Sequence, residues 1–194
     1  GNVYLSLTHP ENDLRQPLFA VFAAPFMGPA YLAARLLGGS AAVEAILLDI
    51  VQVVMMFAAN LLLADMMKLS PVKRICFMVL SSCTYTYLLF TLMMEQYIVA
   101  YFWLILCMNR IVRAGGPGRM AMWGAGGALL TSLILLPFMS GKSPLKDFRK
   151  WLGDMVKYGL EFVALMLAFC RFDIIFNLTA KVTFLSGFID RGLT

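Results

Sequence analysis

The segment Leu7–Phe19 reads LTHPENDLRQPLF and gathers His9, Glu11, Asp13 and Arg15 at the edge of a very apolar chain. Asp13 or Glu11 offers a carboxylate able to act as a general base on an attacking hydroxyl. His9, just before Pro10, offers a metal ligand or a proton shuttle. Glu95, between two apolar runs, is a second carboxylate of the same kind. A plainer reading stands beside each role. Asp13 pairs with Arg15 in a solvated tail, an arrangement that carries little energy; His9 serves as a loop hydrogen-bonder; Glu95 marks a membrane surface.

Other charged groups sit where charge is costly. Asp49, Asn60 and Asp65 share one apolar run, with Asp65 near its end and placed to meet Lys68. Arg171 and Asp173 interrupt another. Intramembrane ionisable groups face a protein interior or a cavity, so Asp49, Arg171 and Asp173 are candidates for a polar site or path. Arg171 and Asp173 are two residues apart and do not face each other on one helix. Arg35, closing YLAAR, reaches either a phosphate or the lipid headgroups. Lys146 and Arg149, with Lys142 and Lys150, form a further cationic group that fits an anionic ligand or headgroups.

The elements that must carry these groups follow from composition. Of 194 residues, 61% are hydrophobic and 14% charged, and the mean hydropathy is +0.80. Soluble domains are roughly 45–50% apolar and about 25% charged. Several apolar runs reach the ~20 residues that cross a bilayer core, and no period-2 alternation marks a transmembrane barrel. The expected fold is all-α: a single integral membrane domain over residues 1–194, with about five to six transmembrane helices. A re-entrant or interfacial helix and an amphipathic surface helix complete it. The net charge of +5 comes without a basic stripe interleaved with aromatics, so nucleic acid is not an expected partner. Cys76, Cys83, Cys107 and Cys170 lie within apolar runs without ligand spacing, and are expected as buried thiols rather than disulfides or zinc ligands. Residues 1–16 lack the pattern of a cleavable signal. The abrupt start at Gly1 and the stop after DRGLT leave two expectations open, a piece of a longer protein or a complete chain.

Apolar stretches cover residues 17–37, 41–67, 75–94, 97–108, 121–139 and 159–178. Pro25 and the Gly28-Pro29 pair are expected to break the first. Ser143 as a cap and Pro144 at the first position predict a helix, with Leu145, Phe148, Trp151, Leu152, Met155 and Val156 on one face. Such a helix lies in the interface plane. The Met and Phe residues are expected to face lipid. The sequon at Asn177-Leu178-Thr179 is of a kind that arises often by chance. The basic loops 68–74 and 109–119 are separated by two spans and so belong on one side, the cytoplasmic side by the positive-inside rule. Glu95 is then outside. If 17–37 crosses, Asp13 is inside; if it is re-entrant or interfacial, Asp13 and Glu95 share the outer face. The second arrangement is the expected one, because broken helices are tolerated beside protein or a wet cavity.

A His-Pro loop, the RQPLF start of a hydrophobic segment, the YLAARLLGG turn, a long span, a basic turn and LMMEQYIVAYFWLIL follow in order. Over roughly residues 5–110 this order resembles the N-terminal half of C-type glycosyltransferases, which use polyprenyl-phosphate-linked sugars. The resemblance implies sugar transfer at the outer face of a bacterial inner membrane. It implies Asp13 or Glu11 as catalytic acid, Glu95 as second carboxylate, and His9, Arg15, Arg35, Lys146 and Arg149 near the phosphate. The donor is a lipid-linked sugar, and a divalent metal is open. Two departures stand: the family's first transmembrane helix has no counterpart ahead of the loop, and the family's usual acid lies further upstream. Two other functions compete: a small transporter or channel lined by Asp49, Arg171 and Asp173, and a non-catalytic subunit bound to partner subunits and membrane lipid.

Overall fold

The structure is a computed structural model that describes residues 18–84, 87, 97–116, 118–129 and 146–170. Among these residues the regular elements are helices: α1 (Phe19–Leu36), α2 (Ala41–Met66), α3 (Pro71–Ser82), α4 (Tyr97–Ala114), α5 (Arg119–Ala128) and α6 (Phe148–Cys170). Three of them, α1, α2 and α4, are long and apolar enough to cross a membrane. At 1.5 Å per residue they run about 27, 39 and 27 Å against a hydrocarbon core of about 30 Å.

Local sequence sets the boundaries. Ser40 caps α2 by accepting a 3.2 Å hydrogen bond from the Val43 amide, and Glu44 sits in the first turn, where the helix dipole favours an acid. Pro71 opens α3 at a position where its missing N–H costs nothing. α2 closes on Lys68 in the left-handed region, at φ +52°, with the Lys68 amide on Asp65 O and the Leu69 amide on Ala64 O. A lysine there carries a Cβ clash that glycine does not. Lys68→Gly is therefore expected to stabilise the protein by about 1 kcal/mol, read as a higher unfolding midpoint in a zwitterionic detergent; an unchanged or lower midpoint counts against it.

The break expected at Pro25 and Gly28-Pro29 does not occur: α1 runs uninterrupted through both prolines. The reason is their side of the helix. Pro25, Pro29, Leu32 and Leu36 form the exposed face, while Phe22, Ala23, Met27, Ala30 and Ala34 form the buried one. The prolines deprive the carbonyls of Val21 and Pro25 of their helical donors, but on the outward side, where the core packing is untouched.

α1 and α2 are joined by the short turn 37–40 and run antiparallel. α2 and α4 run in the same direction, as their successive contacts record: Tyr101 with Asn60, Asn109 with Leu62, and Arg113 with Asp65. α5 turns back from α4 and ends against the start of α1, where the Leu18 amide donates to Gly127 O at 3.0 Å. The core lies among α1, α2, α4 and α5, with Phe162 of α6 joining it. Trp103 fills its centre, edge-on to Phe22 and Phe26, with Phe102 alongside. The Trp103 indole donates to Phe22 O at 3.1 Å. This bulk is accommodated by α5, whose Gly124, Ala125, Gly126, Gly127 and Ala128 are all buried. A Cβ on Gly127 would stand 2.5 Å from the Phe22 ring, and one on Gly124 would enter the Trp103 indole. Small residues that let backbones approach closely are the usual device of helix packing in membranes.

Four further expectations are corrected. Met27, Met55, Met122 and Phe22 are core residues rather than lipid-facing ones. Cys76 and Cys83 are exposed and only Cys107 is buried; the Cys170 side chain lies outside the described residues. Residues 109–114 belong to α4, so Asn109, Arg110 and Arg113 sit on a helix and not in a loop. The amphipathic segment and the apolar segment after it are one helix, α6, which starts at Phe148 and continues through Gly159. Ser143 and Pro144 lie outside the described residues. α6 turns Trp151, Met155, Tyr158, Phe162 and Leu165 toward the rest of the chain and leaves Leu152, Val156, Leu160, Val163 and Leu167 outward.

Candidate functional site

Among the described residues, polar groups gather outside the core at a basic end, at the opposite end by the α1–α2 turn, along α2 and at the start of α6.

The basic end is organised by Asp65, which is 28% exposed and near the end of α2. Its carboxylate takes Arg74 of α3 at 3.3 Å and Arg113 of α4. The expected partner, Lys68, does not reach it. One carboxylate thus ties the start of α3 and the end of α4 together, which puts Arg74 and Arg113 at the same end of the bundle, as expected for segments separated by two spans; residues 71–74 belong to α3 and not to a turn. At the start of α5, Arg119 pairs with Glu161 of α6 at 3.4 Å.

The opposite end carries Arg35, in the last turn of α1. Its guanidinium lies 5.0 Å from the Tyr31 ring centroid and donates to the Tyr31 hydroxyl through Nε at 3.1 Å and through a second nitrogen. Tyr31 precedes Arg35 by one helical turn, so the pair faces the same way. The contact fixes a long side chain that would otherwise be free to snorkel. Tyr31 escaped the sequence reading, although its spacing to Arg35 was the signal that could have found it.

The stripe along α2 begins with Asp49, a half-buried carboxylate whose Oδ1 is buried without a hydrogen-bond partner. One turn later Gln52 is wholly buried. Further on, Asn60 accepts from the Tyr101 hydroxyl at 3.1 Å and donates to Ser81 Oγ at 3.3 Å, while Asn109 donates to Leu62 O. Asn60 and Asn109 are therefore interhelical fasteners between α2, α3 and α4. Gln52 was also missed; its place three residues after Asp49 marked it as facing the same way.

Lys146 and Arg149 are exposed at the start of α6, next to a Lys150–Asp147 pair at 3.9 Å. His9, Glu11, Asp13, Arg15, Glu95, Arg171, Asp173 and the Asn177 sequon lie outside the described residues. No family model, curated protein or solved structure matches this chain.

Proposed function

We propose that this chain is a polytopic protein of the bacterial inner membrane, with about five to six crossings, that acts at the outer face on a lipid-linked phosphate. In this reading it is C-type glycosyltransferase-like. Glu95, the carboxylate that the span count puts at that face, removes the proton of an acceptor hydroxyl. That oxygen then bonds to the sugar as the bond between the sugar and the polyprenyl phosphate breaks. Cations hold the departing phosphate, as preorganised charge does wherever negative charge develops. Lys146 and Arg149 complete the cationic set.

The observation that carries the reading is Arg35. It is braced on Tyr31 at the end of the bundle away from Arg74 and Arg113. By the positive-inside rule the basic end is cytoplasmic, so Arg35 stands at the outer face, where a cation needs another reason to be kept. The outward face of α1 adds support: the carbonyls freed by Pro25 and Pro29 need water or protein, which lipid does not supply.

The test uses the full chain in nanodiscs with a polyprenyl phosphate as probe. Arg35→Ala is expected to weaken binding about tenfold, the worth of a charge-assisted hydrogen bond, and Arg35→Lys to recover part of it. No binding by the parent chain, or equal binding by Arg35→Ala, overturns the reading. Impermeant thiol labelling of cysteines placed at Asp13 and Glu95, after replacing the native cysteines, assigns the base. The cysteine at Glu95 is expected to label from outside and the one at Asp13 from the other side; labelling of both from outside would bring Asp13 back as a base, and no outside labelling at Glu95 overturns the assignment.

A second reading, a small transporter or channel, is favoured by Asp49, whose buried Oδ1 lacks a partner within a helix able to cross the membrane. It expects Asp49→Asn to abolish ion or solute flux in proteoliposomes while leaving polyprenyl phosphate binding intact.

A further inference from the structure

The ion pairs of the basic end leave part of its charge unanswered. Asp65 is occupied by Arg74 and Arg113, and Glu161 by Arg119. Lys68, Lys73 and Arg110 have no carboxylate in ion-pair range among the described residues, and all three are exposed. Each lies within one helical turn of a member of the Asp65 cluster: Lys68 follows Asp65, Lys73 precedes Arg74, and Arg110 precedes Arg113. The Arg110 side chain is laid across Gly118, where a Cβ would stand 2.8 Å from its Nε. Lys68 occupies a left-handed backbone position that glycine would fill with less strain. Beside these cations are outward apolar side chains, Val72 and Ile75 on α3 and Val112 on α4. Unpaired cations bordering apolar helix faces are complementary to an anionic phospholipid, with phosphate at the headgroup layer and acyl chains along the helices.

We propose that Lys68, Lys73 and Arg110 form a binding site for the headgroup of an anionic phospholipid at the basic end of the bundle. The site is separate from Arg35 and does not depend on the function proposed above. Each cation strengthens the association by about fivefold, so the three together account for roughly a hundredfold.

The test places the full chain in nanodiscs of phosphatidylcholine, with and without phosphatidylglycerol, and reads retained lipid by native mass spectrometry and unfolding by thermal midpoint. The parent chain is expected to retain phosphatidylglycerol and to unfold at higher temperature in its presence. The Lys68→Gln, Lys73→Gln, Arg110→Gln variant is expected to lose most of both effects while matching the parent in phosphatidylcholine alone. Lys73→Gln by itself, a change on an exposed position, is expected to lose part of them should the triple variant fold poorly. Equal retention by parent and variants overturns the proposal, as does the absence of any preference for phosphatidylglycerol. Inorganic phosphate added to phosphatidylcholine discs is expected to shift nothing; a matching shift would assign the site to a soluble anion and overturn the lipid.

Discussion

Gly124→Ala is expected to destabilise the protein by about 3 kcal/mol, the upper end of the usual overpacking cost. The new methyl would enter the Trp103 indole, and that ring has little freedom to yield. It is edge-on to Phe22 at 5.6 Å and Phe26 at 5.9 Å, with Phe102 at 6.0 Å, and its N–H is spent on Phe22 O. Relief should come from the ring's side of the contact. Trp103→Leu is destabilising alone, through lost area and aromatic contacts, yet combined with Gly124→Ala it should cost less than the sum by more than about 1 kcal/mol. Thermal midpoints of the four proteins in one detergent decide it. Strict additivity would mean that the methyl and the indole do not meet.

Asp65→Asn is the second large effect, a loss of about 2 kcal/mol. The figure lies between the worth of an exposed pair and the cost of breaking a buried one, because the carboxylate is 28% exposed and its arginines 41% and 63%. The asymmetry is the sharper test. Arg74→Gln and Arg113→Gln each leave Asp65 one partner and should cost about 0.5 kcal/mol. Removing the carboxylate leaves two guanidiniums drawn to the same spot with nothing between them. Equal costs for the three substitutions would show that Asp65 does not bridge them. Raising salt should narrow the gap, since these groups are partly solvated.

The sequence made the apolar helices legible because burial in lipid demands length and apolarity, and both can be counted along a chain. The stretches starting at residues 17, 41 and 97 became α1, α2 and α4, the last continuing beyond the apolar run to Ala114. The common end of the two basic segments was legible too, since two apolar runs separate them and an even number of crossings returns a chain to the same side. Continuity at Pro25 and Pro29 was not. A proline removes a donor wherever it stands, but whether the helix breaks depends on which side the freed carbonyl faces, a property of packing. The partners of Asp65 were hidden for a similar reason: Lys68 is its near neighbour in sequence, while Arg74 and Arg113 come from other helices. Of the candidate site, Arg35, Asp49, Lys146 and Arg149 could be followed into the structure. The brace on Arg35 and the burial of Gln52 were encoded in helical spacing but carried no type signature. The glycines of α5 looked like features of an ordinary span until the indole they accommodate was in place.

The hydrogen bond from Trp103 to Phe22 O spans 81 residues, and the bond from Leu18 to Gly127 reaches further still. α1 is made before α4 and α5, its partners around Trp103, which emerge only after α2 and α3. On a ribosome that adds about 5–20 residues per second, α1 waits for several seconds with its aromatic face unanswered. Biogenesis therefore closes this bundle from later helices back onto α1, and a nascent chain stalled before α4 leaves Phe22 and Phe26 open to whatever insertion factor or stray helix is nearest.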